Sequence, residues 1–397
     1  MVFNPMTTEF SRGGPFKESL TRRDLLALFG GLALGAGCRG PWARSPRGGA
    51  RFQGFPVGRL DSFLTPTADF FVRDHFGVPP VALGNAAAWI VSIEGEVERP
   101  FQLRVSELRA AGQSTLPATL ECAGNAGRNG VNWAGANRAW SGASTAAWEG
   151  VSVASLLHRA GLRSSAREIV FEGADTGFER GVADRLRFAR SVPVAVALRP
   201  SALLALRMNG AELPPVHGGP LRAILPGRYA TDSVKWVSKI RAISAPFDGF
   251  FAVHRYRLGS KTDLAGSSLG DLRVQCEISR PLTAQTVALG TPLEVTGAAW
   301  GGQGGVEKVE VSVDGGRRLS VADWVDPDRE GCWRRWRHVW TPSQRGPRLL
   351  MARATDRAGQ AQPLLSREEL GVGFSLAGPD GIQYADNSVP IVPITVE

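Results

Sequence analysis

The sequence predicts an α+β domain over residues 60–272, followed over residues 273–397 by an all-β domain of the immunoglobulin-like sandwich type. Two observations support this division. Up to about residue 245, short apolar runs mix with helix-like segments and Gly- and Pro-rich connections, whereas beyond Arg273 apolar and polar residues alternate with the period of strands. The 397 residues suffice for two hydrophobic cores, and 43% hydrophobic with 21% charged residues is typical of a folded globular protein.

In the first domain, one segment has a helical pattern and two have the pattern of strands. Residues 150–161 place apolar groups at helical spacing and end in a glycine suited to a left-handed cap. Residues 169–171 and 221–225 are predicted strands, and Asn209-Gly210 is a predicted tight turn. The Gly- and Pro-rich connections leave backbone N–H groups available to bind a large anionic cofactor.

In the second domain, short strands are separated by turns. Residues 292–297, 306–313 and 348–354 are the clearest strand candidates, and Asp314-Gly315 provides a hairpin turn. Several such strands in succession indicate a β-sandwich. The domain also contains the aromatic residues Trp333, Trp336 and Trp340, which are available to an interface.

The amino terminus has the pattern of an export signal. Paired arginines, Arg22 and Arg23, precede a short Gly-rich apolar run at residues 27–37, which resembles a twin-arginine signal. We therefore expect residues 1–40 to direct export to a periplasmic or other extracytoplasmic location. Cys38 follows that run, so either lipid attachment at Cys38 or ordinary signal-peptidase cleavage is expected. Residues 41–59 are predicted to be a flexible linker, because they begin rich in Arg, Pro and Gly.

The net charge of +9 favours acidic partners and small anions. The charge comes almost entirely from arginine, and the arginines are dispersed without a recognised nucleic-acid-binding motif. We therefore predict no nucleic-acid partner. Lysine is scarce in this chain, which makes Lys235 notable.

Cys122 is the residue most informative about function. It follows a short apolar run in Ala118-Thr-Leu-Glu-Cys-Ala-Gly-Asn125, at the point where the run becomes a Gly-containing loop. The cysteines Cys38, Cys276 and Cys332 are too scattered to form a CxxC ligand pair with it. By residue type alone Cys122 would be a buried structural cysteine, but a single thiolate at a strand-to-loop corner also suits a soft metal.

Several segments in order resemble the sulfite oxidase family of molybdopterin-dependent oxidoreductases. Beside the Cys122 segment they are Ser144-Thr-Ala-Ala-Trp-Glu-Gly-Val151, Phe171-Glu-Gly-Ala-Asp175, Met208-Asn-Gly-Ala-Glu-Leu-Pro-Pro-Val-His-Gly-Gly-Pro-Leu-Arg222, Leu225-Pro-Gly227 and Ser233-Val-Lys-Trp236. The resemblance covers roughly residues 70–256 and implies a sulfite-oxidase-type molybdopterin-binding catalytic domain at residues 60–272. It also implies that the β-domain at residues 273–397 mediates a homodimer, although the pattern alone fits a monomeric accessory module equally well.

The resemblance also assigns roles to individual residues. Cys122 would be the protein ligand of molybdenum, and Arg73, Arg222 and Tyr256 would be the catalytic residues beside it. The arginines would bind a small oxyanion through bidentate bonds, the alternative being surface ion pairs. The residues predicted to contact the molybdenum–molybdopterin cofactor are Phe71, Arg73, Asp74, His75, Cys122, Asp175, His217, Arg222, Ser233, Val234 and Lys235. For His217 a core or capping role is the alternative, and for Asp175 a turn.

The segment after the cysteine motif departs from the family. Eukaryotic members have consecutive arginines there, whereas this chain has Ala126-Gly-Arg-Asn129. Arg128 either substitutes for them one position later or leaves a less cationic pocket, which affects the choice of substrate.

The reaction implied is oxidation of sulfite, or a similar sulfur oxyanion, to sulfate by oxo transfer. The sequence contains no CxxCH haem motif, so we expect an external electron acceptor, most plausibly a c-type cytochrome. A sulfoxide reductase or another oxo-transfer enzyme with the same cofactor is the nearest alternative. A cysteine-nucleophile hydrolase using Cys122 and His217, and a binding module centred on the β-sandwich, are more distant ones.

Overall fold

The computed structural model describes residues 52–125, 140–179, 181–257, 268–302, 304–363 and 387–397. The predicted export signal with Arg22, Arg23 and Cys38 lies outside the described residues, as does Arg128. No helix among the described residues is long and apolar enough to cross a membrane.

The described residues before residue 273 contain fourteen strands. They are β1 (Phe52–Gln53), β2 (Phe55–Pro56), β3 (Val72–Arg73), β4 (Ile90–Gly95), β5 (Phe101–Arg104), β6 (Ser114–Glu121), β7 (Trp140–Ser141), β8 (Ala143–Ser152), β9 (Glu168–Gly177), β10 (Leu186–Pro193), β11 (Leu203–Met208), β12 (Ala211–Glu212), β13 (Arg222–Ile224) and β14 (Val237–Ile243). The α-helices are α1 (Val105–Ala110), α2 (Val153–Ala160), α3 (Val194–Ala197) and α4 (Phe250–Val253), with short 3-10 turns at Val57–Arg59, Pro80–Leu83, Ala86–Ala88 and Pro215–His217.

Two sheets form the frame of this first domain. One has the strand order β10-β9-β14-β4-β5, in which β14 and β4 are parallel, and the other has the order β12-β11-β8-β6 with β13 paired to β11. One large apolar cluster connects the first sheet with α1, α2 and β13. The fold therefore has more sheet and less helix than the predicted α+β mixture, because among the described residues the longest α-helix has only 8 residues.

The helix predicted at residues 150–161 is confirmed as α2. The Ser152 hydroxyl accepts a hydrogen bond from the Ser155 N–H and caps its first turn. Gly161 ends the helix with φ of 72°, a left-handed conformation that glycine adopts without steric cost. The strands at 169–171 and 221–225 are confirmed within β9 and as β13, and the Asn209-Gly210 turn connects β11 to β12.

The linker predicted at residues 41–59 is wrong at its C-terminal end. Strand β1 pairs with β3, and strand β2 pairs with β7. Phe55 and Val57 are almost completely buried, and burial of two such side chains contributes several kcal/mol. The Arg-, Pro- and Gly-rich composition indicated a linker, but these apolar residues attach its end to the first domain.

The second domain contains two sheets that share one hydrophobic core. Its strands are β15 (Gln275–Arg280), β16 (Thr286–Val287), β17 (Leu293–Trp300), β18 (Val306–Ser312), β19 (Ser320–Val321), β20 (Asp323–Trp324), β21 (Arg334–Trp340), β22 (Gly346–Asp356) and β23 (Ile391–Val396). The sheet orders are β15-β17-β21-β20 and β16-β23-β22-β18-β19. The strands predicted at 292–297, 306–313 and 348–354 are confirmed in β17, β18 and β22.

Tryptophans of the second domain attach it to the first. The Trp333 backbone N–H donates to Thr119 Oγ1 at 2.6 Å, and its indole N–H donates to the Phe63 carbonyl at 2.7 Å. The indole N–H of Trp300 donates to Glu121 Oε2 at 2.9 Å. Thr119 and Glu121 both belong to strand β6, and Glu121 directly precedes Cys122.

Candidate active site

Cys122 lies immediately after the last residue of β6, as predicted. Its backbone N–H donates to the Gly142 carbonyl at 2.8 Å, and its own carbonyl accepts from the Asn125 N–H at 2.9 Å. Residues 123–125 form a turn, and Cys122 is not part of a disulfide. The thiol is 7% exposed at the wall of a cavity, which suits a metal ligand held on a rigid support.

All of the residues predicted for the site line that cavity. The complete lining is Phe71, Val72, Arg73, Asp74, His75, Cys122, Asp175, Phe188, Val216, His217, Arg222, Ala230, Thr231, Ser233, Val234, Lys235, Trp236 and Tyr256. These residues come from separate parts of the chain, at residues 71–75, 122, 175, 188, 216–222, 230–236 and 256, which the sheets bring together. Their individual roles remain predictions.

Arg73 and Arg222 provide positive charge at the cavity. Arg73 Nη1 donates to the Asp74 carbonyl, while Arg222 donates to the carbonyls of His217 at 2.9 Å and Ser233 at 3.2 Å. Neither arginine forms an ion pair with a carboxylate in the part of the chain that the structure describes. Burial lowers the pKa of Arg222 to about 9, so it remains a cation at neutral pH. A buried cation without a counterion favours binding of an anion.

Tyr256 is the last member of a chain of three polar side chains. Its hydroxyl lies 2.6 Å from His75 Nε2, and His75 Nδ1 lies 2.6 Å from Glu179 Oε1. Arg255 Nη2 donates to the other oxygen of Glu179 at 2.7 Å. Both ring nitrogens of His75 therefore have protein partners, so the predicted contact of His75 with the cofactor would have to use its ring carbons.

The protonation states in this chain follow from burial and from the neighbouring charges. Burial lowers the pKa of His75 to about 4 and raises that of Tyr256 to about 12. For Glu179, burial opposes ionisation, but the hydrogen bond from His75 and the Arg255 charge outweigh it and lower the pKa to about 2. At neutral pH, an ionised Glu179 therefore accepts the proton of His75 Nδ1, and Nε2 accepts the hydroxyl proton of Tyr256.

Lys235 and two aspartates form a second polar group. Lys235 Nζ lies 3.5 Å from Asp74 Oδ2, donates to the Val216 carbonyl at 3.2 Å and contacts the Trp236 ring. Burial lowers the pKa of Lys235, and the charge of Asp74 opposes that shift. Burial raises the pKa of Asp175, and the charge of Lys235 opposes that shift. This is the arrangement expected for a cation and an acceptor that meet a polar ligand.

His217 is buried at the end of a 3-10 turn. Its Nε2 lies 3.0 Å from the Thr67 carbonyl, so Nε2 carries the proton and Nδ1 is left as an acceptor. Burial, reinforced by the charge of Arg222, lowers the pKa of His217 to about 4 and keeps the ring neutral. Gly218 follows with φ of 109°, where an added Cβ would lie 2.9 Å from Lys235 Cγ. A glycine is thus favoured at position 218, where the backbone passes close to the Lys235 side chain.

Ser233 and Val234 line the cavity, but their backbone N–H groups are already used. The Ser233 N–H donates to the Ala230 carbonyl and the Val234 N–H donates to the Asp232 carbonyl. The Ser233 hydroxyl accepts from the Leu225 N–H at 3.0 Å. These bonds hold the segment that precedes Lys235 and leave neither residue a free backbone N–H to donate to the cofactor that both are predicted to contact.

Two buried polar atoms of the lining, Asp175 Oδ1 and Thr231 Oγ1, have no hydrogen-bond partner among the described residues. An unpaired buried polar atom costs about 1–3 kcal/mol, so such atoms favour a bound polar ligand. An acceptor at Asp175 suits the N–H groups of a pterin, Lys235 suits a phosphate, and Cys122 suits a soft metal. The residues present therefore fit a molybdopterin cofactor.

Sequence reasoning did not identify Glu179 or Thr231. Thr231 lies between the motifs Leu225-Pro-Gly227 and Ser233-Val-Lys-Trp236, so its position between two cofactor-related segments was an available signal. Glu179 lies 104 residues from His75 and in none of the motifs. No local pattern indicates that contact.

Comparison with known proteins agrees with this geometry. Residues 75–251 match the family described as "Oxidoreductase molybdopterin binding domain", and residues 267–370 match "Mo-co oxidoreductase dimerisation domain". The chain is 32% identical to the sulfite oxidase of Gallus gallus over 331 residues, which cover 76% of this chain and 69% of that protein. The chain belongs to the sulfite oxidase family. Its cofactor is therefore molybdenum–molybdopterin.

Other known proteins match with similar identity. The chain is 30% identical to the nitrate reductase [NADPH] of Aspergillus niger, spanning 76% of this chain but 39% of that protein. It spans 58% of the sulfite oxidase of Rattus norvegicus, also at 30% identity. The sulfane dehydrogenase SoxCD of Paracoccus pantotrophus shares the fold, with a TM-score of 0.72 and 24% identity over 88% of this chain and 85% of that one. Family membership thus leaves the substrate open between sulfur compounds and nitrate.

Proposed function

We propose that this protein oxidises sulfite, or a related sulfur oxyanion, to sulfate and passes the two electrons to an external c-type cytochrome. The observation that carries the proposal is the pair of cavity-lining arginines, Arg73 and Arg222, which have no carboxylate partner among the described residues and lie in the same cavity as the Cys122 thiol. This combination suits a small anion that reacts beside a thiolate-bound metal.

Holding the cofactor is the first task of the chain. Cys122 would bind the metal as a thiolate, Asp175 and Thr231 would pair with polar groups of the pterin, and Lys235 would place a charge near the phosphate. The bound cofactor supplies oxo transfer and accepts two electrons. The protein contributes orientation and electrostatic stabilisation.

Substrate binding would depend on Arg73. Its guanidinium lines the cavity and, with one N–H on the Asp74 carbonyl, has other donors for an oxyanion. Arg222 is held by two carbonyls, so it would act mainly through its charge and by fixing His217 and Ser233. Burial strengthens the attraction of both arginines for an anion, because the local dielectric constant is lower than that of water.

Proton movement would use Tyr256. Oxidation of sulfite with water to sulfate releases two protons with the two electrons. The Tyr256 hydroxyl can donate to an anionic oxygen in the cavity or pass its proton to His75 Nε2, while ionised Glu179 stabilises the imidazolium that results. Tyr256, His75 and Glu179 would therefore form a path by which protons leave the cavity.

We further propose that the two-sheet second domain is of the immunoglobulin-like type and forms a homodimer, and that the protein acts in the periplasm after twin-arginine export. The match of residues 267–370 to a dimerisation domain supports the dimer. The paired arginines of the amino terminus support export.

Sulfite-dependent reduction of cytochrome c by the purified protein tests the proposed function. Elemental analysis should find about one molybdenum per chain, and the Cys122→Ser variant should lose at least about a hundred-fold in turnover, because a hydroxyl is a poor ligand for a soft metal. Nitrate and a sulfoxide, each supplied with a reduced dye, are the competing substrates. Faster turnover of either one than of sulfite, or near-normal sulfite turnover by Cys122→Ser, would contradict the proposal.

A further inference from the structure

A buried network of carboxylates and amide groups lies directly behind Cys122. Glu121, Asn125, Ser141 and Glu277 are each at most 8% exposed. Asn125 Nδ2 donates to Glu121 Oε1 at 3.1 Å and approaches Glu277 Oε1 at 3.5 Å. The Ser141 hydroxyl donates to the same Glu277 oxygen at 2.7 Å. The mechanism proposed above uses none of these groups.

Asn125 connects this network to the backbone around Cys122. Its Oδ1 accepts from the Gly142 N–H at 2.7 Å, and the Gly142 carbonyl accepts from the Cys122 N–H at 2.8 Å. A Cβ at Gly142 would lie 3.2 Å from both Asn125 Oδ1 and Cys122 Cβ. The turn that carries Cys122 is therefore closely packed against Asn125 and Gly142, so a shift of the Asn125 side chain would be transmitted to the thiol.

Two members of the network belong to the second domain. Glu277 is on β15, and Trp300 ends β17. The Trp300 indole is 1% exposed, and its N–H donates to the second oxygen of Glu121. One carboxylate oxygen of Glu121 thus accepts a hydrogen bond from Asn125, and the other accepts one from Trp300. Loss of a hydrogen bond to a buried polar group leaves its partner unsatisfied.

We propose that Trp300 and Glu277 of the second domain are positioning residues for the Cys122 thiolate. They act through Glu121 and Asn125, whose side chains fix the backbone turn at residues 122–125. The second domain then supports the metal ligand in addition to any role in dimerisation. This inference rests on Cys122 being the metal ligand, as proposed above.

The chain offers a matched control for this proposal. Trp336 is also fully buried in the second domain, but its indole N–H has no hydrogen-bond partner among the described residues. Trp300→Phe and Trp336→Phe both replace a buried indole with a smaller ring and leave a comparable packing defect. Only Trp300→Phe removes a bond to the network behind Cys122.

The test uses the full-length holoenzyme with two measurements on each variant. Hydrogen–deuterium exchange reports on the amides of Cys122, Asn125 and Gly142, and the rate of molybdenum loss during dialysis reports on the metal ligand. We expect Trp300→Phe to raise the exchange rate of these amides and the rate of molybdenum loss by about tenfold or more. Trp336→Phe should change each of these rates by less than about twofold. Thermal unfolding of both variants checks that each remains folded.

Equal effects of the two substitutions on either measurement would overturn the proposal, because packing alone would then explain them. Faster exchange in Trp300→Phe without faster molybdenum loss would also overturn it, because the turn would then not govern the metal ligand. Failure of the ligand assignment itself is distinguishable, since Cys122→Ser would then keep near-normal sulfite turnover. Glu277→Gln gives a second variant in which the Trp300 bond remains intact, and we expect it to speed exchange in the same amides.

Discussion

Replacing Glu179 with glutamine tests the proton path from the cavity most directly. The substitution preserves size but removes the charge that accepts the His75 Nδ1 proton at 2.6 Å and pairs with Arg255 at 2.7 Å. Charge-assisted bonds are about twice as strong as neutral ones, so the variant should lose about 1–2 kcal/mol of stabilisation for imidazolium at His75. Since about 1.4 kcal/mol equals a factor of ten, kcat for sulfite should fall about 5- to 30-fold.

Steady-state kinetics with the molybdenum content of each preparation measure this effect. KM for sulfite should change little, because Arg73 and Arg222 are untouched. Glu172→Gln is the control, since Glu172 lies on strand β9, which ends two residues before Glu179, and pairs at 3.4 Å with the partly exposed Arg241. Loss of that pair should have little effect on kcat. A fully metal-loaded Glu179→Gln enzyme with unchanged kcat would refute the proton path.

Two further predictions concern the substrate and the pH dependence. Arg73→Gln should raise KM for sulfite about ten- to a hundred-fold, because a charge-assisted contact worth about 1.5–3 kcal/mol is lost; an unchanged KM in metal-loaded enzyme would remove Arg73 from the substrate site. The kcat profile between pH 8 and pH 5 should show no inflection near 6.5 from His75, because burial lowers its pKa to about 4 and the ring stays neutral over that range. An inflection near pH 6.5 that disappears in His75→Gln would show that His75 titrates normally.

Local patterns in the sequence were sufficient for several elements and for the composition of the cavity. The apolar spacing before Gly161 predicted α2, and Asn209-Gly210 predicted a turn, because both depend on neighbours along the chain. Arg73, Cys122 and Lys235 were identified from ordered motifs. Their convergence on one cavity agrees with the family fold.

Composition was misleading where single apolar residues decide the structure. The Arg-, Pro- and Gly-rich segment indicated a linker up to residue 59, yet Phe55, on strand β2, is buried against the second domain's Trp333, with ring centroids 5.9 Å apart. The same limitation applies to the balance of helix and strand. Short apolar runs fit either state until their tertiary partners are known.

The order of residues along the chain was enough to predict which residue types meet at the cavity and which turn carries Cys122. The partners of these residues depend on the tertiary fold: Glu179 contacts His75 across 104 positions, and Trp300 contacts Glu121 across 179. It also decided that Arg73 and Arg222 have no carboxylate partner among the described residues. Charge balance and tautomer depend on distances between side chains, and those distances arise only when separate strands pack together.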